Sequence, residues 1–365
     1  MITATLFPGK YIQGAGAADE LSGWAGRYGK KALVIGSPSS FDKIIPRILS
    51  AMQESLPVVA EKFERECSDE EIARLKAAAQ RESCDVVIGV GGGKTLDTAK
   101  GVAHEMNVPV IIAPTIASTD APCSSLSVIY RPDTGRIKRV LTMRRNPDVV
   151  LVDTRIIADS PERFLVAGMG DALATWFEAE SCRLKHAKNM VRAHSSMTAQ
   201  TLARLCYETL LEYGVAARAA CRQHVVIPAL EHVVEANTLL SGVGFESAGL
   251  AAAHAIQDGL NALDKEHMSY HGEKVAFGTL ASLFLTDKSA TMIDEVYSFC
   301  ESVGLPTTLT DLGLSGLSDA DLGKIASIAC AEKETIHNEL IPVTSESVVA
   351  AIKVADEEGT LRKNS

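Results

Sequence analysis

The run "VVIGVGGGKTLDTAK", Val86–Lys100, decides how the first half of the chain is read. An apolar, β-branched stretch enters a glycine turn and leaves it as a helix-forming sequence. The Gly93-Lys94-Thr95 ending suggests a nucleotide triphosphate loop. That pattern, G-x-x-x-x-G-K-[ST], needs a glycine where the chain has Ile88. The dinucleotide fingerprint G-x-G-x-x-G fails too, because Lys94 and Leu96 stand where glycines belong. What remains is strand, Gly91-Gly92-Gly93, helix. Glycines let backbone N–H groups approach an anion, and the helix N-terminus adds partial positive charge. A diphosphate fits such a turn. A tight strand-to-helix connection that binds nothing is the other reading.

The segments around this stretch repeat its alternation. "KALVIGS" (Lys31–Ser37), "PVVAEKF" (Pro57–Phe63), "CDVVIGV" (Cys84–Val90) and "PVIIAPT" (Pro109–Thr115) read as strands, and "DVVLVDT" (Asp148–Thr154) as the last strand of the sheet. Between them lie an amphipathic stretch, Phe41–Met52, and two helices, Ser68–Glu82 and Thr95–Met106. Ser68 is a good N-cap and is followed by an acidic first turn. Alternating strands and helices predict an α/β domain with a doubly wound parallel sheet. "LSVIY" and "IKRVLTM", flanking "RPDTGR", predict an inserted hairpin. After "ADSPERF" the segments turn long, Ala- and Leu-rich and helically periodic. We therefore expect an α/β domain over 1–160 and an all-α domain over 161–365, with the closing "EEGTLRKNS" frayed.

Composition excludes several classes. The chain has 365 residues, 46% of them hydrophobic, and a formal charge of -10. That is enough for two buried cores, and the acidity argues against nucleic acid or an anionic membrane as partner. No apolar run reaches the ~18 residues of a membrane span. The N-terminal "MITATLFPGKYIQG" lacks the pattern of a secretory signal. Eight cysteines, none spaced C-x-x-C, read as buried free thiols in a reducing cytoplasm.

Four places carry candidate chemistry. The loop "APTIASTDAPCSSLSVIY" (Ala113–Tyr130) offers Thr115, Ser118, Thr119, Asp120 and Ser124 at the carboxyl end of the sheet, where open α/β sheets bind ligands. Hydroxyls that cap their own loop are an equal reading. Asp171 follows Gly-Met-Gly and in isolation reads as a helix N-cap. His254 sits in an alanine-rich helix, as a core histidine or a ligand, and His271 begins another helix. His267 is a nearby alternative. One carboxylate and two imidazoles suit catalytic zinc or non-haem Fe(II), both of which keep open coordination positions.

Six segments, in order, resemble the glycerol dehydrogenase branch of the metal-dependent group III (iron-containing type) alcohol dehydrogenase superfamily. They are "PGKYIQG", "GVGGGKTLDTAK", "APTIASTDAPCS", "GMGDALATWFEA", "EANTLLSGVGFESAGLAAAHA" and "HGEKVAFGTL", and the resemblance covers nearly the whole chain. It implies an NAD-binding α/β domain, a helical metal- and substrate-binding domain, and an active site in the cleft between. It implies metal ligation by Asp171, His254 and His271, with zinc the usual ion and Fe2+ the alternative. Gly92, Gly93 and Lys94 would hold the diphosphate. Thr115, Ser118, Ser124, Leu126 and Tyr130 would contact the cofactor. Asp120 would be catalytic, meeting the hydroxyls of a small polyol beside the metal ligands. Homo-oligomers, often octamers, are typical of the branch. Members commonly carry Asp after the "VIG" strand, on the adenosine ribose; here the residue is Ser37. A serine does not repel a 2′-phosphate, which weakens strict NAD selection. Neither Pro38 nor the strand end supplies an Arg to grip that phosphate.

The chemistry so implied is NAD-dependent oxidation of glycerol at C2 to dihydroxyacetone, with a metal-stabilised alkoxide and hydride passing to nicotinamide. Three rivals remain. A dehydroquinate synthase-like lyase would need Lys and Arg around His254 and His271, where only Lys265 and Lys274 lie. A 2-hydroxycarboxylate or 2-oxoacid reductase would set its carboxylate against Asp120. A non-catalytic nucleotide-binding module would need a structural metal, which normally has four protein ligands.

Overall fold

The computed structural model describes residues 1–52, 56–64, 66–264 and 268–364. Six strands form one parallel sheet in the order β1-β8-β5-β4-β2-β3. They are β1 Tyr11–Gly14, β2 Ala32–Gly36, β3 Val58–Lys62, β4 Val86–Gly91, β5 Val110–Pro114 and β8 Val149–Asp153. The four inner strands are buried along their whole length, as strands covered on both faces must be. A separate antiparallel hairpin pairs β6 Leu126–Tyr130 with β7 Ile137–Thr142.

The helices of this sheet follow the sequence with small shifts. Ser68 caps Asp69–Arg81 by accepting from Glu71 N at 3.2 Å. The stretch Phe41–Met52 resolves into two helices, Pro38–Lys43 and Ile45–Met52, the first capped by Ser37 with Pro38 in its first turn. Strand β1 is the element that sequence periodicity does not reveal. Its four residues at the sheet edge are half-buried, and polar neighbours from far along the chain cover it. Gln13 Nε2 donates to the Glu231 carbonyl (2.9 Å) and carboxylate (3.0 Å), and Tyr11 Oη pairs with Thr238 Oγ1 at 2.6 Å. Covering an edge in this way removes a template for stray strand pairing. β8 therefore lies inside the sheet, between β1 and β5.

From Glu162 onward the regular secondary structure of the described residues is helical apart from isolated bridges at Lys188 and His194. Two compact units result. Leu6–Glu162 joins Ala220–Gly242 around the sheet, and Met1–Thr5, Arg163–Ala219 and Val243–Ser365 form the helical unit. The expected fraying at the end is corrected by the structure. Helix Ser345–Asn364 runs through "EEGTLRKN", with Arg362 donating to Asp294 and Glu301 at 2.8 Å each. Gly359 packs so closely that a Cβ there would stand 2.1 Å from the Thr307 carbonyl oxygen.

Among the described residues no single helix is long and apolar enough to cross a membrane. All eight cysteines are free, and all but Cys330 are buried.

Candidate active site and metal centre

Three helices bring Asp171, His254 and His271 together inside the helical unit: Glu162–Lys185, Ala252–Asn261 and His271–Leu285. Small residues make the approach. A Cβ on Gly272 would fall 1.8 Å from the Ala167 carbonyl oxygen, and one on Gly170 would fall 2.3 Å from that of Gly272. A Cβ on Gly278 would fall 2.4 Å from the Ala253 carbonyl oxygen. Ala174, Ala253 and Val275, one from each helix, form a fully buried cluster beneath the site. Gly170, just before Asp171, thus serves close packing rather than a helix start. Asp171 lies inside the helix, fully buried, and the N-cap reading of it is wrong.

The donor atoms converge. Asp171 Oδ1 is 3.4 Å from His254 Nε2 and 3.3 Å from His271 Nε2, and one ligand atom from each residue lies within 4.8 Å of the others. The imidazole centroids are 5.5 Å apart. The His271 side chain is 41% exposed against 14% for His254, so the site opens on the His271 side. Burial opposes ionisation of Asp171, but the two imidazoles outweigh it and hold the carboxyl below the usual range. Burial likewise disfavours a charged His254, yet Glu178 and Asp171 push its pKa well above the ordinary histidine value. A site built to attract positive charge suits a divalent cation as well as a proton.

Glu178, which sequence reading passed over, orders this site. It lies seven residues beyond Asp171 on the same helix, two turns and hence the same face. One of its oxygens accepts from Ala251 N (2.9 Å) and His254 N (3.0 Å), the other from His254 Nδ1 (2.6 Å). Glu339 adds a bond from Ala252 N at 3.0 Å. The His254 helix has no side-chain cap of its own, so these distant carboxylates cap it. The start of the His271 helix is fixed by Glu273, which accepts from Tyr270 N at 2.7 Å and pairs with Arg163 at 2.6 Å.

The second cluster belongs to the α/β unit. Consecutive strands β2 and β3 run to one side and β4 and β5 to the other, so β2 and β4 flank the point where open sheets bind ligands. Ser37 follows β2, and the glycine turn follows β4. Helix Gly93–Met106 begins there, and a Cβ on Gly93 would meet only Thr119 Oγ1, at 3.8 Å, within 4 Å. The space above this helix N-terminus is open to an anion. Ser37 Oγ pairs with Ser40 Oγ at 2.6 Å, and Ser40 reaches Thr115 Oγ1 at 3.5 Å. The Lys94 ammonium pairs with Glu66 and stands 4.7 Å above the Tyr130 ring. Ser118 is half-buried; Ser124 and Leu126 are buried, with Leu126 N donating to Ser124 Oγ at 3.4 Å.

Lys100, wholly buried, straps this loop to the helix. Its ammonium donates to the carbonyls of Ala121 (2.6 Å) and Leu126 (2.9 Å) and to Asp97 Oδ1 (3.2 Å). Two charges three residues apart on a buried helix were the available sequence signal. Asp120 does not cap the turn Ala121–Cys123 with its side chain; its Oδ2 accepts from Ser241 Oγ at 2.9 Å.

Lys274, one of the two basic residues weighed for a phosphate-bearing substrate, is engaged by Asn261 and Asp264 at 2.9 Å each. Lys265 and His267 lie outside the described residues.

Comparison with known proteins agrees with this architecture. Residues 8–154 match the iron-containing alcohol dehydrogenase family. A glycerol dehydrogenase of Thermotoga maritima is 60% identical over 364 residues, the full length of both chains. The chain belongs to the glycerol dehydrogenase branch of the iron-containing alcohol dehydrogenase family. Solved structures of the branch superpose closely. A probable glycerol dehydrogenase from Sinorhizobium meliloti is 42% identical with a TM-score of 0.92, covering 99% of this chain and 100% of that one. The glycerol dehydrogenase from Schizosaccharomyces pombe is 36% identical with a TM-score of 0.93, covering 98% and 91%. The six-stranded parallel sheet followed by a largely helical region is the arrangement of this branch.

Proposed function

We propose that this dehydrogenase oxidises glycerol, and related vicinal diols, at the secondary alcohol, using NAD and one divalent metal, zinc or else Fe2+. The observation that carries the proposal is the convergence of Asp171, His254 and His271, with Glu178 holding His254 from behind. Three ligands leave coordination positions open, as catalytic sites require and structural zinc sites do not. The 60% identical relative is named for the same activity.

Asp171, His254 and His271 would hold the metal, whose Lewis acidity lowers the cost of ionising an alcohol. Gly92, Gly93 and Lys94 would hold the diphosphate of NAD, the hydride acceptor, with Thr115, Ser118, Ser124, Leu126 and Tyr130 along the rest of it. The open space over Gly93 and the bare helix N-terminus support that placement. Lys94 would exchange Glu66 for phosphate. Asp120 would accept a hydrogen bond from a terminal hydroxyl of the polyol and disfavour substrates that carry a carboxylate. Glu178 keeps the Nδ1 proton of His254 in place, so that Nε2 presents its lone pair.

The test is NADH formation by the purified enzyme with glycerol, 1,2-propanediol and lactate. Glycerol and the diol should be oxidised and lactate should not. Faster turnover of lactate than of glycerol would replace this reading with the hydroxy-acid one.

A further inference from the structure

The segment after helix Pro228–Glu235 continues as a π-helical turn, Ala236–Leu240, before the helix Ser241–Ala248. π turns are rare, have poor hydrogen-bond geometry and collect at functional sites. Here the turn docks on the loop after β5. Asn237 Nδ2 donates to the Ala117 carbonyl at 3.0 Å. Ser241 Oγ donates to Asp120 Oδ2 at 2.9 Å. Gly242 lets the backbones close, since a Cβ there would stand 2.9 Å from the Asp120 carbonyl oxygen and 3.0 Å from Cys123 Cβ. Asn237 and Ser241 are fully buried and Asp120 is 9% exposed.

We propose that Ser241 is a positioning residue that aims the Asp120 carboxylate at the polyol, with the π turn setting where Ser241 stands. The inference rests on the substrate role proposed above for Asp120. Its ground is the hydrogen bond that a buried hydroxyl from 121 residues away gives to this side chain, which does not cap the turn it begins. A hydrogen bond to an ionised acceptor is among the stronger ones, and burial of both partners keeps water from replacing it. Fixing Oδ2 fixes the carboxylate plane, and with it the direction in which a hydroxyl of the substrate is received.

The experiment compares kcat/KM for glycerol and 1,2-propanediol in the metal-loaded wild type, Ser241→Ala, Ser241→Thr, Asp120→Asn and the Asp120→Asn/Ser241→Ala double variant. Ser241→Ala should lower glycerol oxidation about tenfold and 1,2-propanediol oxidation less, moving the ratio toward that of Asp120→Asn. Ser241→Thr, which keeps the hydroxyl, should restore the ratio, and the double variant should match Asp120→Asn. If Ser241→Ala does not fold, Ser241→Cys, of similar size but a weak donor, takes its place. An unchanged ratio in the Ser241 variant beside a changed one in Asp120→Asn overturns the positioning role and leaves Asp120 its own. Equal losses on both substrates in Ser241→Ala overturn it as well, because they mark a general loosening. An unchanged ratio in Asp120→Asn removes the substrate role itself, and this inference with it.

Discussion

Replacing Glu178 with Gln should weaken metal binding without touching a ligand. As a carboxylate, Glu178 can only accept, so the proton that His254 retains when it binds a cation is the one on Nδ1, which faces Glu178 at 2.6 Å, and Nε2 is the nitrogen left to ligate. Gln has the same shape but one oxygen. That oxygen is needed by the two backbone N–H groups, Ala251 N at 2.9 Å and His254 N at 3.0 Å. The amide NH2 then faces Nδ1 and favours the tautomer with its proton on Nε2, the atom that must bind the cation. Changes to such supporting partners cost about 10–100-fold in metal affinity, or roughly 1.4–2.7 kcal/mol at 1.36 kcal/mol per decade. The assay is titration of the metal-free variant with zinc against a competing chelator, beside thermal unfolding of the metal-free form as a check on folding. A Glu178→Gln protein that folds and binds zinc with wild-type affinity would refute the assignment of Glu178 as the group that fixes the His254 tautomer.

Other outcomes are expected. Zinc affinity should depend on pH: His254 in the metal-free enzyme has its pKa raised well above 6.5, so binding displaces a proton below that raised value. Affinity should then fall about tenfold per pH unit on acidification and level off above it, and a flat competition profile through neutral pH would contradict this. Gly272→Ala should drive apart the helices that hold Asp171 and His271, lowering stability by about 1–3 kcal/mol and zinc affinity with it; an unchanged affinity would separate that packing from the site. Wild type should prefer NAD to NADP, and Ser37→Asp, which still caps its helix, should widen the preference; equal efficiency with both cofactors in wild type would contradict this picture of the pocket. Asp120→Asn should depress glycerol oxidation by roughly ten- to hundredfold while sparing 1,2-propanediol comparatively, and equal losses in steady-state kinetics would leave Asp120 structural.

The parts legible from sequence were those whose signal is local. Strands β2, β4, β5 and β8 are continuous apolar runs because both of their faces are covered, and Ser68 announces its helix. Strand β1 was not legible, because its partners Glu231 and Thr238 lie more than 200 residues away. Gly170 before Asp171 has the composition of a break, and only the position of Gly272 in space shows that it is a contact. Glu178 and Ser241 escaped notice for a related reason. Each acts through a hydrogen bond to a residue 76 or 121 positions distant, and nothing in their own neighbourhood marks them.

The most direct test of the account is glycerol-dependent NADH formation by the enzyme before chelation, after it, and after zinc is restored. The account predicts activity that disappears with the metal while the protein stays folded, and returns when zinc is added to wild type but not to His271→Ala. Undiminished NADH formation in protein shown to be free of metal would contradict it.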